Sequence, residues 1–256
     1  MVSAVDGDDA QTAVISAADD AAAFALAHAR IDRPSDEDRG TTPAPQAAPP
    51  HRVRLLLAHG AGAPMDSAFM EQFVTSAVAC GIEVTRFEFA YMHARRDDGR
   101  KRPPPRIDNL FPIFARIAAQ WCAGDDVDGT VSLIGGKSMG GRIATHVASD
   151  VEHLPTRVRG VVCLGYPFHP QGKPETLRIE HLPELVRPTL IVQGDRDPFG
   201  SRDEVRGYDI GEKAEVVWLD DGDHDFGPRG RSGATRKGNI AQAAEAVATF
   251  ADRLGG

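Results

Sequence analysis

The sequence predicts an α/β protein, a mostly parallel sheet of about six strands with helices on both faces, over residues 51 to 256. Two observations carry this. Six short apolar runs recur along that stretch, and helix-period segments of roughly 10 to 15 residues separate them. Strands alternating with helices are the pattern of right-handed βαβ units, whose parallel strands place ligands beyond their carboxyl ends.

In order, the apolar strand runs are 53–58, 83–89, 130–134, 158–164, 189–192 and 215–219. The helical segments are 67–79, 108–122, 139–149, 175–185, 202–210 and 234–253. Residues 1–50 read differently. They hold nine acidic and three basic side chains, 14 alanines, five prolines and Phe24 as the single aromatic. Such a stretch offers little to bury, so it is expected to be a disordered acidic Ala/Pro-rich tail with at most a short helix near 20–29.

The chain's charge of −8 resides mostly in that stretch. The nearly neutral remainder lacks the basic excess expected of a nucleic-acid binder. No apolar run approaches the ~18 residues of a membrane span, and the N-terminus is acidic where a secretory signal would be basic. Cys80, Cys122 and Cys163 have neither disulfide-framework nor zinc spacing. A cytoplasmic protein is expected, with no nucleic-acid or membrane partner.

The strand at 130–134 runs into Gly135-Gly136-Lys137-Ser138-Met139-Gly140-Gly141 and then a helix. Gly136 to Gly140 fits G-x-S-x-G, in which the glycines allow a strained strand-to-helix turn that presents the serine hydroxyl at a helix N-terminus. There the dipole and free N–H groups favour a developing anion. A phosphate-binding P-loop would need glycine at 131, which is Val131. The bland alternative is a glycine-rich turn whose serine caps the helix, with Lys137 solvated or in a supporting position.

A serine nucleophile needs a base and an orienting carboxylate, which follow in the order Ser, Asp, His in an α/β-hydrolase sheet. Gln193-Gly194-Asp195-Arg196-Asp197 follows one later strand and Asp220-Asp221-Gly222-Asp223-His224 follows another. Asp195 and Asp197 both compete for the acid role; Asp197 is favoured because it reaches further over the sheet. His224 among aspartates could instead suggest a cation loop, but the distal glutamate of a calcium loop is missing, and no metal is assigned. The oxyanion hole is expected from the N–H groups of Met139 and Ala61, with Gly62 as the fallback donor and a substrate contact. His59 reads as a structural residue of that loop. The chemistry calls for no cofactor.

The set His59-Gly60-Ala61-Gly62-Ala63, Arg86 to Met92, Gly136 to Arg142, Gly165-Tyr166-Pro167-Phe168-His169-Pro170, Gln193 to Gly200 and Gly222-Asp223-His224 resembles the testis-expressed-protein-30-like group of small α/β-hydrolases, related to the dienelactone-hydrolase-like enzymes. The likeness covers about residues 52 to 254. It implies a Ser138, Asp197, His224 triad and an open site; dienelactone hydrolases proper carry cysteine where Ser138 stands. A eukaryotic relative serves as a subunit of a chromatin-modifying complex, so the fold can also serve binding.

Only residues 165–188 separate the fourth and fifth strand runs, and they include five prolines. That leaves no room for a lid. Arg95, Arg96, Arg100, Lys101, Arg102 and Arg106 against Asp97 and Asp98 make the segment after the second strand run basic. Arg95 and Arg96 could therefore draw in an anionic substrate, although a solvated loop is the plainer reading. The sequence as a whole points to a serine hydrolase of small carboxylic esters or thioesters. Its alternatives are a non-catalytic interaction module and an amide or peptide hydrolase with the same triad.

Overall fold

The computed structural model describes residues 7–35, 52–124 and 129–256, with side chains from residue 17 onward. The chain runs α1 (Gly7–Ala27), β1 (Arg30–Asp32), β2 (Val53–Ala58), α2 (Ala68–Ala79), β3 (Ile82–Phe87), α3 (Ala90–Asp98), α4 (Ile107–Ala123), β4 (Val131–Lys137), α5 (Met139–Ser149), β5 (Val158–Leu164), β6 (Thr189–Gly194), α6 (Arg202–Val205), β7 (Ala214–Leu219) and α7 (Arg236–Gly255). The seven strands form one sheet in the order β1-β3-β2-β4-β5-β6-β7. Strands β2 to β7 are parallel, and β1 joins the edge antiparallel to β3.

Alternation along the central strands distributes the core. Leu56, Ala58 and Ile134 point into the layer holding Phe114 of α4 and Ile143 and Val147 of α5. Leu55, Leu57 and Leu133 point into the opposite layer, with Phe69 and Phe73 of α2 and Val247 and Phe250 of α7. A sheet covered on both faces explains why its strands read as nearly continuous apolar runs.

The predicted β2 and β5, and α5, hold at both ends, whereas other elements depart from expectation for local reasons. Residues 7–35 are not the expected tail. Ala18, Ala22 and Ala25 form an i, i+4, i+7 stripe that is buried, and Ala22 and Ala25 join the core cluster containing α4; Asp19 pairs with Arg116 of α4 at 3.3 Å. Small side chains bury little area each, but they let two helices approach closely. β1 is then fastened by the fully buried guanidinium of Arg86 to Asp32, which makes a seventh strand. The rest of the expected tail, 36–50, lies outside the described residues.

The basic segment after β3 begins with α3, not a loop. The helix expected at 175–185 is reduced to a single 3-10 turn, Leu182–Glu184, since Pro183 can neither donate nor tolerate a preceding helical turn. That turn and its flanking loops are all that connect β5 to β6, and among the described residues no lid covers the carboxyl edge of the sheet.

Candidate active site

Four parallel strands, β2, β4, β6 and β7, with β5 between β4 and β6, lead at their carboxyl ends into the expected site residues. At the end of β4, Ser138 has φ 52 and ψ −111, a conformation that costs a non-glycine residue about 1–3 kcal/mol and persists only when its surroundings impose it. Its amide donates to Leu164 O of β5 at 3.0 Å. The glycines explain the turn's tightness. A Cβ on Gly136 would lie 2.5 Å from the Gly140 carbonyl carbon, and one on Gly140 would lie 2.7 Å from His59 O. β4 and α5 therefore meet through bare backbone, and only glycine permits this approach.

After β7, the His224 ring donates or shares its Nδ1 proton with Asp197 Oδ2 at 2.8 Å. With Asp197 as acceptor, the proton belongs on Nδ1 and the Nε2 lone pair is available as a base. Asp197 is fully buried. It also accepts from Gln193 Nε2 at 3.0 Å on that same Oδ2 and from the Phe199 amide at 2.9 Å on Oδ1, so both carboxylate oxygens are satisfied. The histidine thus meets Asp197, not Asp195, whose Oδ1 is buried without a partner. Phe199 packs its ring 4.4 Å from that of His224.

Lys137, the residue before Ser138, is nearly buried. Its Nζ donates to His224 O at 2.7 Å, pairs with Asp225 Oδ1 at 3.3 Å and sits 4.9 Å from the Phe69 ring. Burial lowers its pKa, opposed by the fields of Asp225 and Asp197. One side chain therefore ties the Ser138 strand to the His224 loop. A Cβ at Gly165 would lie 3.1 Å from that Nζ and 3.3 Å from His224 Cε1, which brings the β5 end to the same point. This tie is not legible in the sequence, because nothing local distinguishes a buried lysine from a solvated one beside a glycine turn.

The loop after β2 lies against the turn: a Cβ at Gly60 would stand 3.9 Å from Ser138 Cβ. His59 is buried, accepts from the Phe89 amide at its Nε2 (3.2 Å) and places Nδ1 2.6 Å from Gly60 O; burial lowers its pKa. Both ring nitrogens hold the loop, as a structural histidine would. Tyr91 of α3 adds a contact the sequence did not single out. Its hydroxyl donates to Ala61 O at 3.2 Å and lies 3.8 Å from Met139 Sδ, touching both expected oxyanion residues.

The two arginines expected to meet substrate are engaged with the protein. Arg96 binds Glu88 at 2.6 and 2.8 Å and Asp66 at 2.7 and 3.0 Å. Arg95 Nη1 donates to the carbonyl of Gly62 at 3.3 Å. Arg102 forms a two-pronged pair with Asp98. The basic segment is largely neutralised by its own neighbours.

A lidless parallel sheet with a strained serine at a strand-to-helix turn and a His-Asp pair on later strand ends defines an α/β-hydrolase fold of serine-hydrolase type. The chain belongs to the alpha/beta hydrolase domain family, whose model matches residues 51–252. Solved structures agree on the fold. A dienelactone hydrolase from Anabaena variabilis superposes with TM-score 0.56 at 19% identity, covering 88% of each chain. Est1E from Butyrivibrio proteoclasticus, solved with ferulic acid bound, gives 0.58 at 13% identity over 87% of this chain and 93% of that one. A serine hydrolase without a lid from Xanthomonas campestris gives 0.54 at 16% identity over 77% and 80%. Among the described residues no helix is long and apolar enough to cross a membrane.

Proposed function

We propose that the protein is a cytoplasmic serine hydrolase of small carboxylic esters or thioesters, within the testis-expressed-protein-30-like group. The observation that carries the reading is His224, on the loop tied to the Ser138 strand through Lys137, held at 2.8 Å by a fully buried Asp197, together with Ser138 at φ 52 on its turn. A capping serine has no need of backbone strain, and it has no need of an imidazole oriented on a neighbouring loop.

In the proposed mechanism His224 Nε2 takes the Ser138 proton as Oγ attacks the carbonyl carbon. The amides of Met139 and Ala61 receive the oxyanion. Asp197 holds the imidazole in its tautomer and stabilises the imidazolium. His224 then protonates the departing alkoxide or thiolate, leaving an acyl-Ser138 ester. Water, deprotonated by the same imidazole, attacks that ester and releases the acid while the proton returns to Oγ. The absence of a lid supports small or exposed acyl groups as substrates, and Tyr91 supports the oxyanion loop against Met139.

A fluorophosphonate probe tests the reading: the wild type is labelled, Ser138→Ala is not, and an ester and thioester panel shows turnover with the same dependence. A folded wild type that neither labels nor turns over refutes it.

A further inference from the structure

Positive charge without a protein partner lies elsewhere than in the basic segment after β3. Arg142 is one turn beyond Ser138 on α5, its amide donating to Ser138 O at 3.0 Å, so the two residues are separated by about 6 Å along the helix axis. Its Nε is buried and has no hydrogen-bond partner. Residues 178–181 are fastened by three contacts, two of them to this face of α5. The Tyr166 hydroxyl donates to Arg178 O at 2.8 Å, Thr145 Oγ1 meets His181 Nε2 at 2.8 Å, and the rings of His146 and His181 stack at 3.6 Å, 15° from parallel.

Arg178 is thereby held within reach of the Arg142 charge. Burial and then the Arg142 charge lower its pKa. Among the described residues neither guanidinium forms an ion pair. Burial pushes His146 down to about 4 and His181 to about 3, so both rings are neutral at pH 7 and wall the site without adding charge. His146 Nε2 is also buried without a partner. The carboxylates whose fields reach the cluster are Glu180, which is exposed, and Asp108, which sits 3.7 Å from Arg106.

Two partly desolvated like charges without a counter-ion are costly, and an oxyanion that accepts from both forks relieves them. The cluster is also connected along the chain to both reacting groups. Arg142 lies in the first turn and a half of α5, whose N-cap is Ser138, and Tyr166 follows Gly165, the residue packed against His224. We propose that Arg142 and Arg178 form an oxyanion subsite beside Ser138, which receives a carboxylate or phosphate carried by the substrate. The substrate half of this rests on the hydrolase reading; the anion half does not.

The test uses a matched pair, mono-4-nitrophenyl glutarate and 4-nitrophenyl pentanoate, which differ in a terminal carboxylate against a methyl. The ratio of kcat/KM for the two is taken within each protein. The wild type is expected to favour the glutarate at least tenfold, and Arg178→Gln and Arg142→Gln each to reduce the ratio at least tenfold. In parallel, glutarate and inorganic phosphate are titrated separately against Ser138→Ala in thermal-shift and calorimetric experiments. Stabilisation that disappears on adding Arg178→Gln supports the subsite independently of turnover, and Arg178, in a part-exposed loop, serves if Arg142→Gln does not fold. A ratio near one, with no stabilisation by either anion, overturns the subsite while a labelled and active wild type leaves the hydrolase reading intact. Stabilisation by phosphate with no ester preference overturns the substrate half and makes the anion a free ligand. Anion stabilisation in a protein that never labels overturns the hydrolase reading and supports the subsite.

Discussion

Lys137→Met separates rate from stability because the ammonium does two different things. It makes a charge-assisted bond to His224 O at 2.7 Å, a class of interaction that contributes about 1.5–3 kcal/mol to stability. The same group is a buried cation, and burying it costs several kcal/mol before its partners compensate. Methionine fills a similar volume without that cost. The two terms oppose, so the net change in folding is expected within about 2 kcal/mol, or a Tm change under about 8 °C for a domain of this size.

The rate has no such compensation. Without the tie, the carbonyl of His224 and the carboxylate of Asp225 lose the only side-chain link described between their loop and the Ser138 strand, and a displacement of about 1 Å at the base costs on the order of 100-fold. The expected result is a roughly 10- to 100-fold fall in kcat for 4-nitrophenyl acetate and in the fluorophosphonate labelling rate, with KM changed less than about threefold. Circular dichroism and thermal melting establish that the variant is folded. A folded Lys137→Met that labels within twofold of the wild-type rate refutes the positioning role.

Other consequences follow from single contacts. Gly140→Ala places a Cβ 2.7 Å from His59 O and 2.8 Å from Ala58 O, so it should lower stability by about 2–3 kcal/mol or prevent folding, read by chemical denaturation. Arg96→Gln strands the buried Glu88, whose pKa Arg96 now lowers against its burial; a loss of about 3 kcal/mol is expected, with the glutarate-to-pentanoate ratio unchanged within twofold. His146 and His181, at about 4 and about 3 when folded and near 6.5 when unfolded, bind fewer protons folded than unfolded between those values. Their contribution is present above pH ~6.5 and is lost as pH falls toward 3, by an amount on the order of a few kcal/mol after allowance for their partial exposure. Tm measured from pH 7 to 4 should drop steeply, and the drop should be shallower in His181→Asn; an unchanged slope contradicts the neutral stacked pair.

What the sequence determined is local or periodic. Strands β2 to β6 were legible because they are buried on both faces and so read as apolar runs, and β7, half-buried at the edge of the sheet, was legible from its own short apolar run. The turn at Ser138 was legible because the glycines at 136 and 140 leave backbone room that any other residue would close. The order of Ser138, the two aspartates and His224 followed from one strand-helix unit succeeding another. Glycine clashes and alternation act over a few residues, and a linear sequence carries them in full.

The tertiary structure decided everything that depends on which distant groups meet. Asp195 and Asp197 are both plausible two residues apart; only the approach of β7 to β6 brings His224 to Asp197 and leaves Asp195 Oδ1 without a partner. Lys137 and Arg96 look alike as cations in polar surroundings, yet one is buried across 87 residues of sequence from His224 and the other is clasped by Glu88 and Asp66. The alanines of α1 looked too small to bury anything until α4 gave them a close-fitting face. Arg142 and Arg178, 36 positions apart, come within reach of each other's charge because residues 178–181 are held by Tyr166 and Thr145. A charge's chemistry depends on its desolvation and its partners, and both are properties of the folded arrangement, which residue type and spacing do not encode.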